Sequence, residues 1–404
     1  MKEKNPNALI AMIAVVAVAI LNQSSGVESP ALAYIAKSFP ETPMTTIVMI
    51  TTLPSLMIIP ASLLFSAFRK RFTLRSLFVV FMLILIVGGV MPAFSPTIGQ
   101  ILFWRALFGF GVGIMWPLGY TYIVELYSGN KQDTLLGFNS TVTAVGGIMW
   151  AMLGGILALT SWRHSFYAYF IPIIILIFCT IFLPEPKKTE TETKSAQGDG
   201  AKARIGYFVL LLVFGFFLNA CVFTYFTNLS FKIVDGGLGT SASAGLAQSC
   251  WVIGSLIVGV LYGFIMRNKF MKKYAYSIGW LLVGIGMLFV SKAPTYTVVL
   301  VASFIGGIGC GTAIPTIVGM IGNVSSKNVA MFLGLYTTMT GVAQFVGPQV
   351  FNGLVKTFNQ SYGSFPMAVA AVIHIIGAII SFIIFVALYS KQKAAGVQNS
   401  AVSK

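Results

Sequence analysis

The chain has 404 residues, of which 57% are hydrophobic and only 9% charged, with a mean hydropathy of +0.87. A water-soluble domain carries about 25% charged residues, so the composition excludes a soluble globular protein and indicates a polytopic membrane protein embedded in a lipid bilayer. The net charge of +16 would suggest a nucleic-acid partner in a soluble chain; here the basic residues lie mainly in short loops between apolar runs, where they set topology, and no nucleic acid is expected.

Twelve apolar runs are long enough to cross a hydrocarbon core of about 30 Å as helices. The first, 8–36, turns polar in its second half, LNQSSGVESPALA (21–33). That stretch ends in Ala31-Leu32-Ala33, which looks like the small-residue cleavage site of a secretory leader. It also holds an acid, Glu28. Ser24 lies one turn before Glu28, and Asn22, Ser25 and Ser29 form a neighbouring stripe, so this helix has a wet face. The second and third runs, 42–66 and 76–95, are joined by a basic loop with Arg69, Lys70, Arg71 and Arg75, read as a gating loop.

The fourth run, 98–124, carries Arg105. Trp116 follows eleven residues later, about 20° around a helix, which predicts that both face one cavity. Gly109, Gly113 and Pro117 follow Arg105 at steps of four; the glycines are read as close packing and the proline as a bend. Runs five and six cover 134–160, with Asn139, and 165–184. A charged polar segment, Pro184 to Arg204, then interrupts the pattern as a flexible linker.

The second half resumes at 206–231, where Asn219, Thr224, Tyr225 and Asn228 form a weaker polar stripe. Runs at 241–266 (with Gln248), 274–292, 295–322, 329–357 (with Tyr336, Gln344 and Asn352) and 365–389 (with His374) complete the set. The domain reading is therefore an N-terminal six-helix bundle (1–184), a linker (185–204), a C-terminal six-helix bundle (205–390) and a tail (391–404). His374, alone in mid-span, is either a proton relay or a structural residue.

The two halves match at an offset of 197 to 198 residues. Leu21-Asn22 falls on Leu218-Asn219, Gly109, Gly111, Gly113 and Pro117 on Gly307, Gly309, Gly311 and Pro315, and Thr141 and Thr143 on Thr338 and Thr340. A removable leader would have no counterpart in mid-chain, so the opening stretch is read as part of helix 1. Two homologous bundles in parallel relation form an all-α membrane protein with a central cavity, the arrangement of a rocking transporter. Of the 26 lysines and arginines, twenty fall in the termini and alternate loops on one side, five in those on the other, and Arg105 within a span. By the positive-inside rule both termini are expected in the cytoplasm.

Other chemistries leave no trace. The four cysteines (Cys179, Cys221, Cys250 and Cys310) have neither paired nor metal-ligand spacing. No phosphate-binding Gly-x-x-x-x-Gly-Lys-Ser/Thr loop and no nucleophile–base motif emerges, so neither an ATP-driven pump nor an enzyme is expected, and no cofactor or metal.

Several motifs resemble the major facilitator superfamily. Arg105-Ala-Leu-Phe-Gly109-Phe-Gly-Val-Gly113 is similar to its helix 4 motif, Trp162-Arg163-His-Ser-Phe166 to its entry into helix 6, and Leu183-Pro184-Glu185 to the exit. The 66–75 loop aligns with the family's glycine-aspartate-arginine loop, with Lys70 in place of aspartate and Thr73 in place of glycine. The helix 5 pattern of drug/proton antiporters has its Gly-Pro pair replaced by Trp150-Ala151; Gly347-Pro348 stands at the repeat-equivalent position in helix 11. The resemblance implies a twelve-helix transporter working by alternating access, with helices 1 and 4 side by side.

On this reading Glu28 and Arg105, the acid and base well inside the spans, are either a structural ion pair or the working site, since a charge at the bilayer centre costs at least about 2.5 to 3.5 kcal/mol. Glu28 is the proton-coupling candidate, in the cavity or at the outer interface. Arg105, Asn22, Ser24, Trp116, Asn139, Asn219, Tyr225, Gln248, Tyr336 and Gln344 are candidates for substrate binding or coupling. The leading function is proton-coupled efflux of a small organic solute across the cytoplasmic membrane by a monomer. The alternatives are transport of an organic anion held by Arg105, and a non-transporting receptor.

Overall fold

The computed structural model describes residues 6–185, 205–324 and 329–402. The expected linker beyond Glu185 lies outside these residues, as do Lys2, Lys4, Lys327 and Lys404. All regular structure among the described residues is helical. Among the described residues, eleven helices are long and apolar enough to cross a membrane: α1, whose apolar part is Ile10–Ser38, α2 (Met44–Arg71), α3 (Leu74–Phe94), α4 (Ile98–Leu126), α5 (Asn130–Leu157), α6 (Trp162–Phe182), α7 (Ile205–Val234), α8 (Ser241–Ile265), α9 (Lys269–Lys292), α10 (Tyr296–Gly322) and α12, whose apolar part is Phe365–Val386. A further 29-residue helix, α11 (Val329–Thr357), completes twelve. Helix α12 itself runs from Phe365 to Val402.

Local chemistry explains the boundaries. Thr97 and Asn268 cap α4 and α9 by accepting hydrogen bonds from backbone N–H groups, and Thr240 and Ser243 form a reciprocal capping box on α8. Gly129, at φ +59°, supplies the left-handed turn that admits α5. The Lys70 and Thr73 departures leave the 66–75 loop anchored by other means. Thr73 caps α3, the Glu185 carboxylate accepts from the N–H groups of Leu74 and Arg75 at 2.9 and 2.8 Å, and Arg69 pairs with Glu125 at 2.8 Å. Arg75 donates to the Thr180 carbonyl, while Arg71 is exposed.

Helix α1 is not a regular α-helix. Pro6–Ala17 is α-helical, Val18–Gly26 winds as a nine-residue 3₁₀ helix, Ser29–Ala31 is a second 3₁₀ turn, and Leu32–Ser38 returns to α. Pro30 removes a backbone donor, and serines compete for backbone partners: the Ser24 hydroxyl donates to the Leu21 carbonyl at 2.6 Å. Runs of 3₁₀ beyond three or four residues are uncommon and mark strain or a hinge.

The halves form two hydrophobic cores, and the repeat is visible in their packing. A Cβ on Gly109 would meet the Pro54 backbone and one on Gly307 the Trp251 backbone; Gly111 and Gly309 stand likewise against Leu85 and Val283, and Gly88 and Gly286 against Phe108 and Gly306. Each contact recurs at the same offset, and the glycines permit backbone approach as close packing requires. Residues near the pseudo-two-fold axis meet their own mates. Ser29 donates to the Phe226 carbonyl at 2.5 Å, the Ala33 N–H donates to Ser230 at 3.2 Å, and Lys37 pairs with Asp235 at 2.9 Å.

These contacts close one end of the molecule. There α1 meets α7, and α5 meets α8 through the Ser241 hydroxyl on the Gly155 carbonyl at 2.8 Å. Gln349 of α11 reaches Thr52 of α2 at 3.3 Å. The opposite end, which carries the basic 66–75 loop, is where the halves part: Gly137, Ser140 and Thr141 of α5 and Gly259 and Val260 of α8 are exposed there and line the mouth of the cavity.

Candidate functional site

Two features share the middle of the bundle. The first is a sealed polar cluster. Arg105 of α4 and Glu28, at the break between the two 3₁₀ segments of α1, form an ion pair of 2.7 Å (Nη2 to Oε1) with both side chains 0% exposed. The guanidinium spends its other donors on the Ile50 carbonyl (Nε, 2.8 Å), the Tyr169 hydroxyl (Nη1, 2.9 Å) and the Ser25 carbonyl (Nη2, 3.1 Å). Tyr169 of α6 donates to the Ser24 carbonyl at 2.6 Å and lies 3.2 Å from Glu28 Oε2. Phe108 covers the guanidinium at 4.4 Å from its ring centre. A buried charge pair persists only when its remaining donors and acceptors are satisfied, and this set meets that condition from α1, α2, α4 and α6 together.

The second feature is a cavity of about 860 Å³ between the halves. Ser25, Ser29 and Thr51 belong to its wall, while Glu28 and Arg105 do not, so the ion pair sits directly behind that wall. Thr51 neighbours the Glu28 carboxyl, and its hydroxyl has no hydrogen-bond partner of normal geometry.

The sequence candidates divide between these places. Asn219, Gln248 and Gln344 line the cavity. Gln248 donates to the Ser29 hydroxyl at 2.8 Å, and Asn219 to the Gly215 carbonyl at 2.9 Å. Asn22, Asn139 and Tyr336 are buried outside its lining, both amide atoms of Asn139 lacking partners. Ser24 serves the cluster through its carbonyl. Trp116 is not in the lining, and neither is Arg105, so the shared face inferred from the helical angle does not open on this cavity. Tyr225 is buried in the C-terminal core, its hydroxyl hydrogen-bonded to the Ser303 hydroxyl at 2.8 Å and to the Ala247 carbonyl at 3.2 Å. His374 is buried on the Trp280 ring, with Nδ1 at 3.0 Å from the Ala370 carbonyl and Nε2 unpartnered.

Sequence reasoning missed Tyr169, Thr51, Gln23, Phe226 and Trp251. Only Gln23 carried a signal, as a polar residue inside the wet stretch of α1.

The family model described as the Major Facilitator Superfamily matches residues 12–273 and 212–403. The chain belongs to that superfamily. It is a multi-pass membrane transporter, not an enzyme. Among curated relatives it is 24% identical over 290 residues to the quinolone resistance protein NorA of Staphylococcus aureus (strain MRSA252), covering 69% of this chain and 72% of that one. A shorter match, 31% over 100 residues, covers 24% of this chain and 19% of the multidrug resistance protein 3 of Bacillus subtilis (strain 168). Solved structures of similar fold include the nucleoside transporter NupG (TM-score 0.75, 15% identity, 94% of this chain and 100% of that one). The D-xylose–proton symporter is another (TM-score 0.73, 17% identity, 92% and 96%).

Proposed function

We propose that this transporter exports small organic solutes across the cell membrane in exchange for protons, with Glu28 as the proton site. The carrying observation is the position of the Glu28–Arg105–Tyr169 cluster: sealed from solvent, yet one residue layer behind the cavity wall. Protonation of Glu28 removes the carboxylate that holds Arg105. It thereby loosens the tie between α4 and the 3₁₀ stretch of α1, whose Ser25 carbonyl takes the same guanidinium. Substrate against Ser25 and Ser29 acts on that stretch from the other side. Proton and substrate thus act on one element, through which their binding can be coupled.

Similarity to the quinolone resistance protein favours efflux. With both termini in the cytoplasm, the open end of the cavity faces the cytoplasm, ready to load an export substrate. The organic-anion reading is less favoured because the donors of Arg105 are engaged within the protein. In proteoliposomes, Glu28→Gln is expected to abolish accumulation driven by a pH gradient while preserving solute exchange at equal pH. An unchanged pH dependence in that variant would remove Glu28 as the coupling site.

A further inference from the structure

Among the described residues, the lining of the cavity contains no lysine, arginine, histidine, aspartate or glutamate. Its polar groups are carboxamides and hydroxyls. Gln23 of α1 and Gln344 of α11, on opposite halves, face the cavity and make no hydrogen bond within the described protein. Gln23 packs over Gly147 of α5 beside Val252 of α8. Phe223, Phe226 and Trp251 provide the aromatic part of the wall.

A fixed cation gains little here. The Glu28 carboxylate is neutralised by Arg105 and sealed behind the wall. Trp251, the ring best suited to holding a cation, is not free to do so, since a cation must lie over a ring face. Trp251 is only 2% exposed. One of its faces stacks on Tyr225 at 4.2 Å; Gly306 abuts the ring so closely that a Cβ there would lie 2.3 Å from it. Phe226 meets both Tyr225 and Trp251 edge to face. Ring edges carry the positive part of the quadrupole and favour acceptor atoms. Burying a charge without a partner is far more costly than burying a hydrogen-bonded amide.

We propose that the cavity selects uncharged, planar aromatic compounds bearing amide-like donor and acceptor groups, with Gln23 and Gln344 as specificity residues, and discriminates against fixed cations of the same shape. This rests on the reading of the cavity as the substrate site and deepens it by naming the substrate class. Acridone, a neutral tricycle with one carbonyl and one N–H, and N-methylacridinium, its permanently charged counterpart, form a matched pair of probes. Equilibrium dialysis against the purified full-length protein is expected to show acridone binding at least about tenfold more tightly. The double variant Gln23→Leu, Gln344→Leu is expected to weaken acridone by about tenfold and to leave N-methylacridinium unchanged.

Equal or tighter binding of the cation, no acridone binding, or indifference of acridone to the double variant would each overturn the proposal. The single variants, each less disruptive to folding, must weaken acridone by about threefold apiece, since effects at separate sites add in free energy. If acridone binds with these preferences but a pH gradient does not move it, proton-coupled efflux fails and the selectivity stands.

Discussion

The two halves carry the same scaffold and place different chemistry at the same point. At the offset of 197 to 198 residues, Glu28 falls on Tyr225, Arg105 on Ser303 and Ile50 on Ala247. In the N-terminal half Arg105 joins Glu28 and the Ile50 carbonyl. In the C-terminal half Tyr225 joins Ser303 and the Ala247 carbonyl. The neighbours exchange volume as well: Phe108 over the guanidinium corresponds to Gly306, and Pro54 corresponds to Trp251, whose ring occupies the space beside that glycine. A charged, titratable node on one side thus faces a neutral, aromatic-packed node on the other. The fold does not need a charge at this position to close its helices, since the C-terminal half closes them with a phenol and a hydroxyl. The buried pair on the other side therefore calls for a reason beyond packing.

The sharpest way to break the comparison is Arg105→Ala. It leaves a buried carboxylate without its counter-ion, and losing one partner of such a pair costs about 3–5 kcal/mol. Denaturant unfolding of the purified protein is expected to show that loss. Adding Glu28→Gln should restore most of the stability and none of the pH-driven accumulation, because the neutral amide no longer needs a counter-charge. If the double variant were no more stable than the single one, the pair would not be an energetic unit.

How much of this was legible in the sequence follows from which forces act locally. Intramembrane charges are rare enough to mark Glu28 and Arg105, and the shared offset reveals the repeat because substitutions keep small residues where helices touch. Tyr169 carried no signal: an aromatic in an apolar run looks like core until tertiary packing aims its hydroxyl at a carboxylate. The face of α1 was legible only in part: Ser25 and Ser29 of the expected stripe line the cavity, while its earlier members do not, for a geometric reason. A 3₁₀ helix turns about 120° per residue against 100° in an α-helix. By Gln23, the sixth residue of the segment, the face has rotated by roughly 100°. Gln23 therefore reaches the cavity, while Asn22 and Ser24 turn inward.

Tyr169→Phe sharpens the contrast by removing one oxygen from the charged node while keeping the ring. It withdraws an acceptor from Arg105 and a donor from the Ser24 carbonyl, a loss of about 1–3 kcal/mol. The expected functional mark is a displaced pH profile of transport, since the oxygen also lies beside Glu28. The matched change in the neutral node, Tyr225→Phe, removes a hydrogen bond between uncharged groups. Such bonds inside membrane proteins average about 0.6 kcal/mol. Its pH profile is expected to stay in place; a displaced one would show that the C-terminal half shares in proton coupling.

The smallest effect belongs to the closed end of the pseudo-two-fold axis, where Lys37 and Asp235, themselves repeat mates, pair at 2.9 Å with side chains 58% and 46% exposed. Exposed pairs contribute about 0–1 kcal/mol and are screened by salt, so Asp235→Asn is expected to leave unfolding nearly unchanged. The pair spans the two halves at the closed end, and its loss acts on the balance between closed and open forms. A balance near even responds strongly to a fraction of a kcal/mol. Cysteine labelling near the closed end, for instance at a Ser38→Cys reporter, is expected to rise by up to about fivefold in the variant. High salt should raise labelling of the parent protein in the same way. Labelling indifferent to both would mean that the α1–α7 and α5–α8 contacts alone keep this end shut.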